Sequence, residues 1–218
     1  MKFFIDTAEI EEIKSLSELG LVDGVTTNPT LIYKSGKDFR EVIKEISSIV
    51  KGPISAEVTS IKSQDMIDQG IELAKISNNI VVKVPLTADG LIACKKLSSS
   101  NIKVNVTLCF SASQALLAGK LGATYISPFI GRLDDIGTPG LNLIKDIVNI
   151  YNIHKQDIKT EVLAASIRSP LQVSQVASAG AHVATIPPNI IYQMIKHPLT
   201  DVGLATFMND WKKTGQKF

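Results

Sequence analysis

The sequence predicts an α/β chain folded as a (β/α)8 TIM barrel with an extra C-terminal helix. Three observations carry that prediction. Eight short runs rich in Val and Ile recur along the chain, helical apolar spacing fills the intervals between them, and the linkers are too short for hairpins. An open doubly wound sheet is the competing architecture. Neither a G-x-G-x-x-G after the first strand nor a G-x-x-x-x-G-K-[ST] supports it.

The expected strands are Phe3–Asp6, Val22–Thr27, Ile54–Val58, Ile80–Val84, Lys103–Leu108, Thr124–Phe129, Thr160–Ala165 and His182–Ile186. Between the first pair, Ile10, Ile13 and Leu16 recur at helical spacing; Phe39, Val42, Ile43 and Ile46 do so in the second interval, and Met66, Ile67, Ile71 and Ala74 in the third. The stretches 91–97, 113–121, 141–150 and 170–179 supply the next four helices. Beyond the eighth strand, Leu204, Phe207, Met208 and Trp211 form an apolar stripe within a helix expected over 199–218. It either closes the end of its own barrel or packs on a neighbouring subunit.

A chain of 218 residues can bury a full core in a single domain spanning 1–218. Its formal net charge of +2 arises from interspersed acids and bases, so no basic stripe points to nucleic acid or a membrane surface. The segment Met1-Lys2-Phe3-Phe4-Ile5-Asp6 reaches a charge too early for a signal peptide, and no apolar run is long enough to span a bilayer. A cytoplasmic location is expected. Cys94 and Cys109 are the two cysteines, without the paired Cys/His spacing of a zinc site or the density of a disulfide framework.

The residue that most needs explaining is Lys83, set in Ile80-Val81-Val82-Lys83-Val84-Pro85. In a strand buried on both faces an ammonium loses its hydration and must find a partner or give up its proton. Such an environment suits an amine that attacks a carbonyl to form a Schiff base. The plainer alternative is a lysine whose stem is buried and whose head reaches the rim.

Alternation supplies the context. In barrel strands, residues of one parity share the interior. Asp6 goes with Phe4, Thr26 and Asn28 with Gly24, Glu57 with Ser55, and Lys83 with Val81. Asn105 and Thr107 go with Cys109, Ser127 with Tyr125 and Phe129, and Ser166 with Ala164 and Arg168. The opposite parity is almost wholly apolar, including Ile5, Val25, Val82, Val106, Leu108, Leu163 and Ala165, and should face the helices. An interior this polar is costly, at about 1–3 kcal/mol for each unpaired buried group, and at the strand C-termini of a barrel it reads as an active site.

Each residue also has a structural alternative. Asp6-Thr7-Ala8-Glu9 fits a capping box, Thr26-Thr27-Asn28-Pro29-Thr30 a turn leading into a helix, and Ser166-Ile167-Arg168-Ser169-Pro170 an N-terminal helix cap with a solvated arginine. Arg132 has Asp134 and Asp135 close by in sequence to pair with. Arg132, Ser166 and Arg168 together, following neighbouring strands, form a plausible phosphate clamp. His154, His182 and His197 are assigned to structure.

The segments Phe4-Ile5-Asp6-Thr7-Ala8, Gly24-Val25-Thr26-Thr27-Asn28-Pro29-Thr30, Val82-Lys83-Val84-Pro85, Asn105-Val106-Thr107, Ser127-Pro128-Phe129-Ile130-Gly131-Arg132 and Ala165-Ser166-Ile167-Arg168 together closely resemble the transaldolase family in its short bacterial form. The resemblance extends from the first strand to the C-terminal helix. It implies a Schiff-base enzyme, with no metal and no cofactor, that moves a dihydroxyacetone unit from sedoheptulose 7-phosphate or fructose 6-phosphate to an aldose phosphate in the non-oxidative pentose phosphate pathway. Lys83, Asp6, Glu57 and Thr107 fall on the catalytic positions. Thr26, Asn28, Asn105, Ser127, Phe129, Arg132, Ser166 and Arg168 fall on substrate-binding ones. A ring-based homo-oligomer, such as a decamer, with the last helix reaching a neighbour is also implied.

The same subfamily includes fructose-6-phosphate aldolases, which release free dihydroxyacetone. Those resemble this chain but carry Gln at the position of Glu57 and Tyr at that of Phe129, so both residues favour transfer. A non-catalytic sugar-phosphate-binding barrel would need the arginines without the acid–lysine set. For a deoxyribose-phosphate type of aldolase, the T-T-N-P-T loop is the contrary feature.

Overall fold

The structure is a computed structural model describing residues 1–217; the end of the expected C-terminal helix, Phe218, lies outside the described residues. Eight strands alternate with helices. In order they are β1 (Lys2–Asp6), α1 (Ile10–Glu18), β2 (Gly24–Thr26), α2 (Pro29–Ser35), α3 (Phe39–Ile49), β3 (Ile54–Glu57), α4 (Ser63–Ala74), β4 (Ile80–Pro85), α5 (Ala88–Ser99) and β5 (Val104–Cys109). There follow α6 (Ala112–Lys120), β6 (Tyr125–Pro128), α7 (Ile130–Asp135), α8 (Gly140–Ile153), β7 (Glu161–Ala164), α9 (Pro170–Ser178), β8 (Val183–Ile186), α10 (Pro188–Ile195) and α11 (Pro198–Lys213). The strands pair in parallel, each with its sequence neighbour, and β1 pairs with β8 to close the barrel. All eight expected strands are present, with ends shifted by at most two residues.

Helix starts follow local chemistry. Asp38, Thr87, Ser111 and Ser169 accept hydrogen bonds from the first-turn N–H groups of α3, α5, α6 and α9. His197 caps α11 in the same way, and His182 Nδ1 accepts from Val162 N, so these two histidines serve structure. One of the capping alternatives is corrected. Because α1 begins at Ile10, Asp6 does not cap it; Thr7 Oγ1 instead accepts from Glu9 N at 3.1 Å. The segment Ser166–Pro170 does cap a helix: Ser169 is the N-cap of α9, with Pro170 in its first turn. Three helices lack a counterpart among the expected ones: α2 and α7, both short, and α10.

The apolar core has two shells. The larger lies between barrel and helices and contains Ile5, Val25, Ala56, Val82, Val104, Val106 and Ile126 from the strands. The smaller fills the barrel with Phe4, Val81, Tyr125, Leu163, Ala165 and Val183. Phe4 packs edge-on against Tyr125, with ring centroids 5.7 Å apart. Gly24, opposite Phe4 in the strand register, makes room for that ring; a Cβ there would lie 2.6 Å from both Phe4 and the Pro53 carbonyl oxygen.

On two strands the facing is the reverse of that expected. On β7 the interior side chains are Leu163 and Ala165, while Ala164 faces the helices, the reverse of the expected assignment. Ser166 still reaches the central pocket because its φ of 61° is left-handed and turns the chain at the strand end. On β5, Leu108 has a φ of 60° and the register with β6 shifts between Val106 and Cys109. Leu108 consequently lines the pocket and Cys109 joins the outer shell, again the reverse of strict alternation.

Candidate active site

The strand C-termini surround a cavity of about 580 Å³. Its walls include Asp6, Thr26, Asn28, Glu57, Lys83, Phe129, Arg132, Ser166 and Arg168, nine of the twelve site residues read from the sequence. The other three, Asn105, Thr107 and Ser127, are buried among the strands and are not part of its walls.

Lys83 is at the centre. The register aligns Glu57, Lys83 and Asn105 in one row across β3, β4 and β5. Lys83 is 5% exposed, and its Nζ lies 3.0 Å from Glu57 Oε2 and donates to the Thr27 carbonyl oxygen at 3.1 Å. The buried ammonium has therefore found a partner at the base of the pocket, rather than snorkelling to the rim. That pairing also sets a carboxylate directly beside the amine.

Asp6 ends β1, directly opposite Thr26 in register. Burial pushes its carboxyl above its ordinary value of 3.8, partly offset by the Lys83 charge and by a hydrogen bond from Thr26 Oγ1 at 2.8 Å. A carboxylate made more basic by desolvation is suited to take a proton from a substrate hydroxyl. Behind this layer, Asn105 Nδ2 donates to Ser55 Oγ at 3.2 Å, and Ser127 Oγ donates to Asn105 Oδ1 at 2.7 Å. Thr107 Oγ1 is buried with no hydrogen-bond partner among the described residues. An unpaired buried hydroxyl costs free energy, so this one stands apart from the hydrogen-bonded Asn105 and Ser127 beside it.

The rim is cationic. Asn28 caps α2 through Oδ1, which accepts from Leu31 N at 3.0 Å, leaving its amide N–H groups for the pocket. Arg132 lies over the Phe129 ring, 5.0 Å from its centroid, and does not form the ion pair with Asp134 or Asp135 suggested by its sequence neighbours. Arg168 makes that contact instead, with Nη1 2.7 Å from Asp135 Oδ1. α7 and the Ser166 turn meet closely, since Gly131 N donates to the Ser166 carbonyl oxygen at 3.1 Å. A Cβ at Gly131 would lie 2.1 Å from that oxygen, so only glycine allows the approach that brings Arg132 beside Ser166 and Arg168.

Lys34, Leu108, Ala165 and Thr185 also line the pocket, and sequence reasoning missed all four. Thr185 was legible, standing two residues after Val183 on β8. Lys34 is carried by α2, Leu108 depends on a register shift, and Ala165 on the reversed parity of β7, none of which alternation signals. Both cysteines are buried, and burial pushes Cys94 up to about 11 and Cys109 up to about 12, so neither supplies a thiolate. Among the described residues no group of three or more His, Cys, Asp or Glu is placed to hold a metal ion, and no helix is long and apolar enough to cross a membrane.

Residues 3–218 match the family model described as Transaldolase/Fructose-6-phosphate aldolase. A protein named "Probable transaldolase" from Clostridium acetobutylicum is 58% identical over 217 residues, covering 100% of both chains. Another of the same name, from Parvibaculum lavamentivorans, is 60% identical, covering 100% of this chain and 99% of its own length. Among solved structures, the thiamine phosphate pyrophosphorylase from Pyrococcus furiosus superposes with a TM-score of 0.57 over 85% of each chain at 17% identity, a likeness of fold alone.

Proposed function

Since the chain belongs to the transaldolase/fructose-6-phosphate aldolase family, we propose that it is a transaldolase, transferring a dihydroxyacetone unit between sugar phosphates through a Schiff base on Lys83. The observation that carries this reading is the buried Lys83 amine, 3.0 Å from the Glu57 carboxylate in the same pocket as Asp6.

In the proposed sequence, Glu57 takes a proton from the Lys83 ammonium, and the free amine attacks the C2 carbonyl of fructose 6-phosphate or sedoheptulose 7-phosphate. Glu57 and Thr107, through a water between them, protonate the departing carbinolamine hydroxyl, giving the iminium. Asp6 removes the C4 hydroxyl proton, the C3–C4 bond breaks, and its electron pair passes into the iminium to form an enamine. The aldose phosphate leaves. Thr26 and Asn28 hold the hydroxyls of the retained three-carbon unit, with Asn105 and Ser127 fixing the floor beneath it. Arg132, Ser166 and Arg168 hold the phosphate of donor and acceptor. A second aldose phosphate then adds, and hydrolysis frees Lys83.

Incubation with fructose 6-phosphate, with and without erythrose 4-phosphate, tests the activity. Acceptor-dependent sedoheptulose 7-phosphate is the expected product; free dihydroxyacetone formed without acceptor would make the chain an aldolase. Phe129 offers an apolar ring, with no hydroxyl to position a hydrolytic water, which favours transfer over release. The double variant Glu57→Gln/Phe129→Tyr should raise the share of free dihydroxyacetone, and an unchanged product ratio would remove these positions as determinants.

A homo-oligomer, ring-based and of up to ten subunits, is part of the same proposal. No residue of α11 is buried, and Leu199, Leu204, Phe207 and Met208 are exposed along it. Such an apolar face suits contact with a second copy. Sedimentation should give an assembly for the native chain and smaller species for Phe207→Asp; a native monomer would overturn this part.

A further inference from the structure

Thr185 is a polar side chain in the pocket wall to which the proposed reaction gives no task. It is 4% exposed and lies on β8, next to β1 in the barrel, while Thr26 lies on β2, on the other side of β1. The two hydroxyls hydrogen-bond to each other. Their direction follows from counting hydrogens. An ionised Asp6 can only accept, so the single hydroxyl hydrogen of Thr26 is committed to Asp6 Oδ1 at 2.8 Å. Thr26 must therefore be the acceptor in its bond with Thr185, and Thr185 the donor.

We propose that Thr185 is a positioning residue, orienting the Thr26 hydroxyl toward Asp6 through the directed chain Thr185 to Thr26 to Asp6. This rests on the reading of Asp6 as the base. A lone Thr26 hydroxyl is a rotor that can turn its hydrogen toward any acceptor, including a substrate hydroxyl. With a lone pair engaged by Thr185, that rotation is restrained, and the donation to Asp6 is strengthened by polarisation along the chain. The carboxylate is thereby aimed, and the bond from Thr26 favours its charged form against the burial that raises its pKa. The other charges around it are Lys83 and Glu57 from β4 and β3, with Lys34, Arg132 and Arg168 farther out at the rim. None of these is hydrogen-bonded to Thr185.

Two variants separate the hydroxyl from the methyl group of Thr185. Thr185→Val keeps the shape and removes the donor, whereas Thr185→Ser keeps the donor and removes the methyl. The readout is the pH dependence of single-turnover C3–C4 cleavage of fructose 6-phosphate, with Asp6→Asn measured in parallel. Thr185→Val should move the acid limb toward higher pH by about half a unit and slow the plateau several-fold, as a weaker bond to the charged carboxylate requires. Thr185→Ser should keep the native limb. An unmoved limb in Thr185→Val, or an equal movement in Thr185→Ser, would overturn the positioning role while Asp6→Asn stays inactive. Cleavage at a near-native rate in Asp6→Asn would instead overturn the assignment of Asp6 as base, and the proposal with it.

Discussion

Lys83→Ala should form no borohydride-trappable adduct with fructose 6-phosphate and should lose turnover entirely. The amine is the only atom in the proposed sequence that bonds to carbon, so no neighbouring group can take its place. Mass spectrometry of the trapped protein checks this directly: the native chain gains one sugar-derived mass on Lys83, and the variant gains none. The substitution also strands Glu57, whose carboxylate loses the ammonium 3.0 Å away. Removing one member of a buried pair costs about 3–5 kcal/mol where the other stays charged. Part of any loss could then be structural. Lys83→Arg separates the two effects by keeping a cation beside Glu57 while offering no amine. A folded, inactive Lys83→Arg with no adduct assigns the loss to chemistry. Turnover retained in Lys83→Ala would end the Schiff-base proposal.

The second large effect belongs to Asp6→Asn. This variant should still trap an adduct, since Lys83 and Glu57 are intact, but should lose cleavage by a factor on the order of 10²–10⁴, the usual contribution of one acid–base group. Stability should move the other way. Burial raises the Asp6 carboxyl above 3.8 in the folded chain, so between that value and the raised one the folded state binds more protons than the unfolded state. Native stability therefore falls as pH climbs through this interval, and the deficit persists above it. Asparagine carries no such penalty and still accepts from Thr26. The melting temperature of Asp6→Asn relative to native should accordingly be higher at neutral pH than near pH 4, by about 2–4 °C for each kcal/mol involved. A gap of the same size at both pH values would show that ionising Asp6 costs the fold nothing.

The sequence made the barrel legible because parallel strands buried on both faces need continuous apolar runs, and helices covering them need a stripe at helical spacing. Those signals are strong in Ile80–Pro85 and Phe39–Ile49. Most of the site was legible for the same reason: Asp6, Thr26, Glu57 and Lys83 are polar residues on the inward parity of regular strands. What escaped depended on backbone geometry. The reversed parity of β7 could not be read from Val162-Leu163-Ala164-Ala165, where every side chain is apolar and either phase fits a core. The short helices α2 and α7 begin at Asn-Pro and after Pro-Phe, sequences equally suited to a loop. The ionic partner was also hidden, because Asp135 is three residues from Arg132 in sequence but bonds to Arg168 from the next strand's end.

The left-handed turns at Leu108 and Ser166 give the barrel two joints. A residue other than glycine in that conformation carries strain on the order of 1–3 kcal/mol, which the surrounding packing must sustain. In return, the chain beyond each joint no longer inherits its facing from the strand below. Leu108 and Ser166 can thus both face the mouth while the strands below them keep their own phase. The barrel behaves as a fixed socket fitted with a separately set collar.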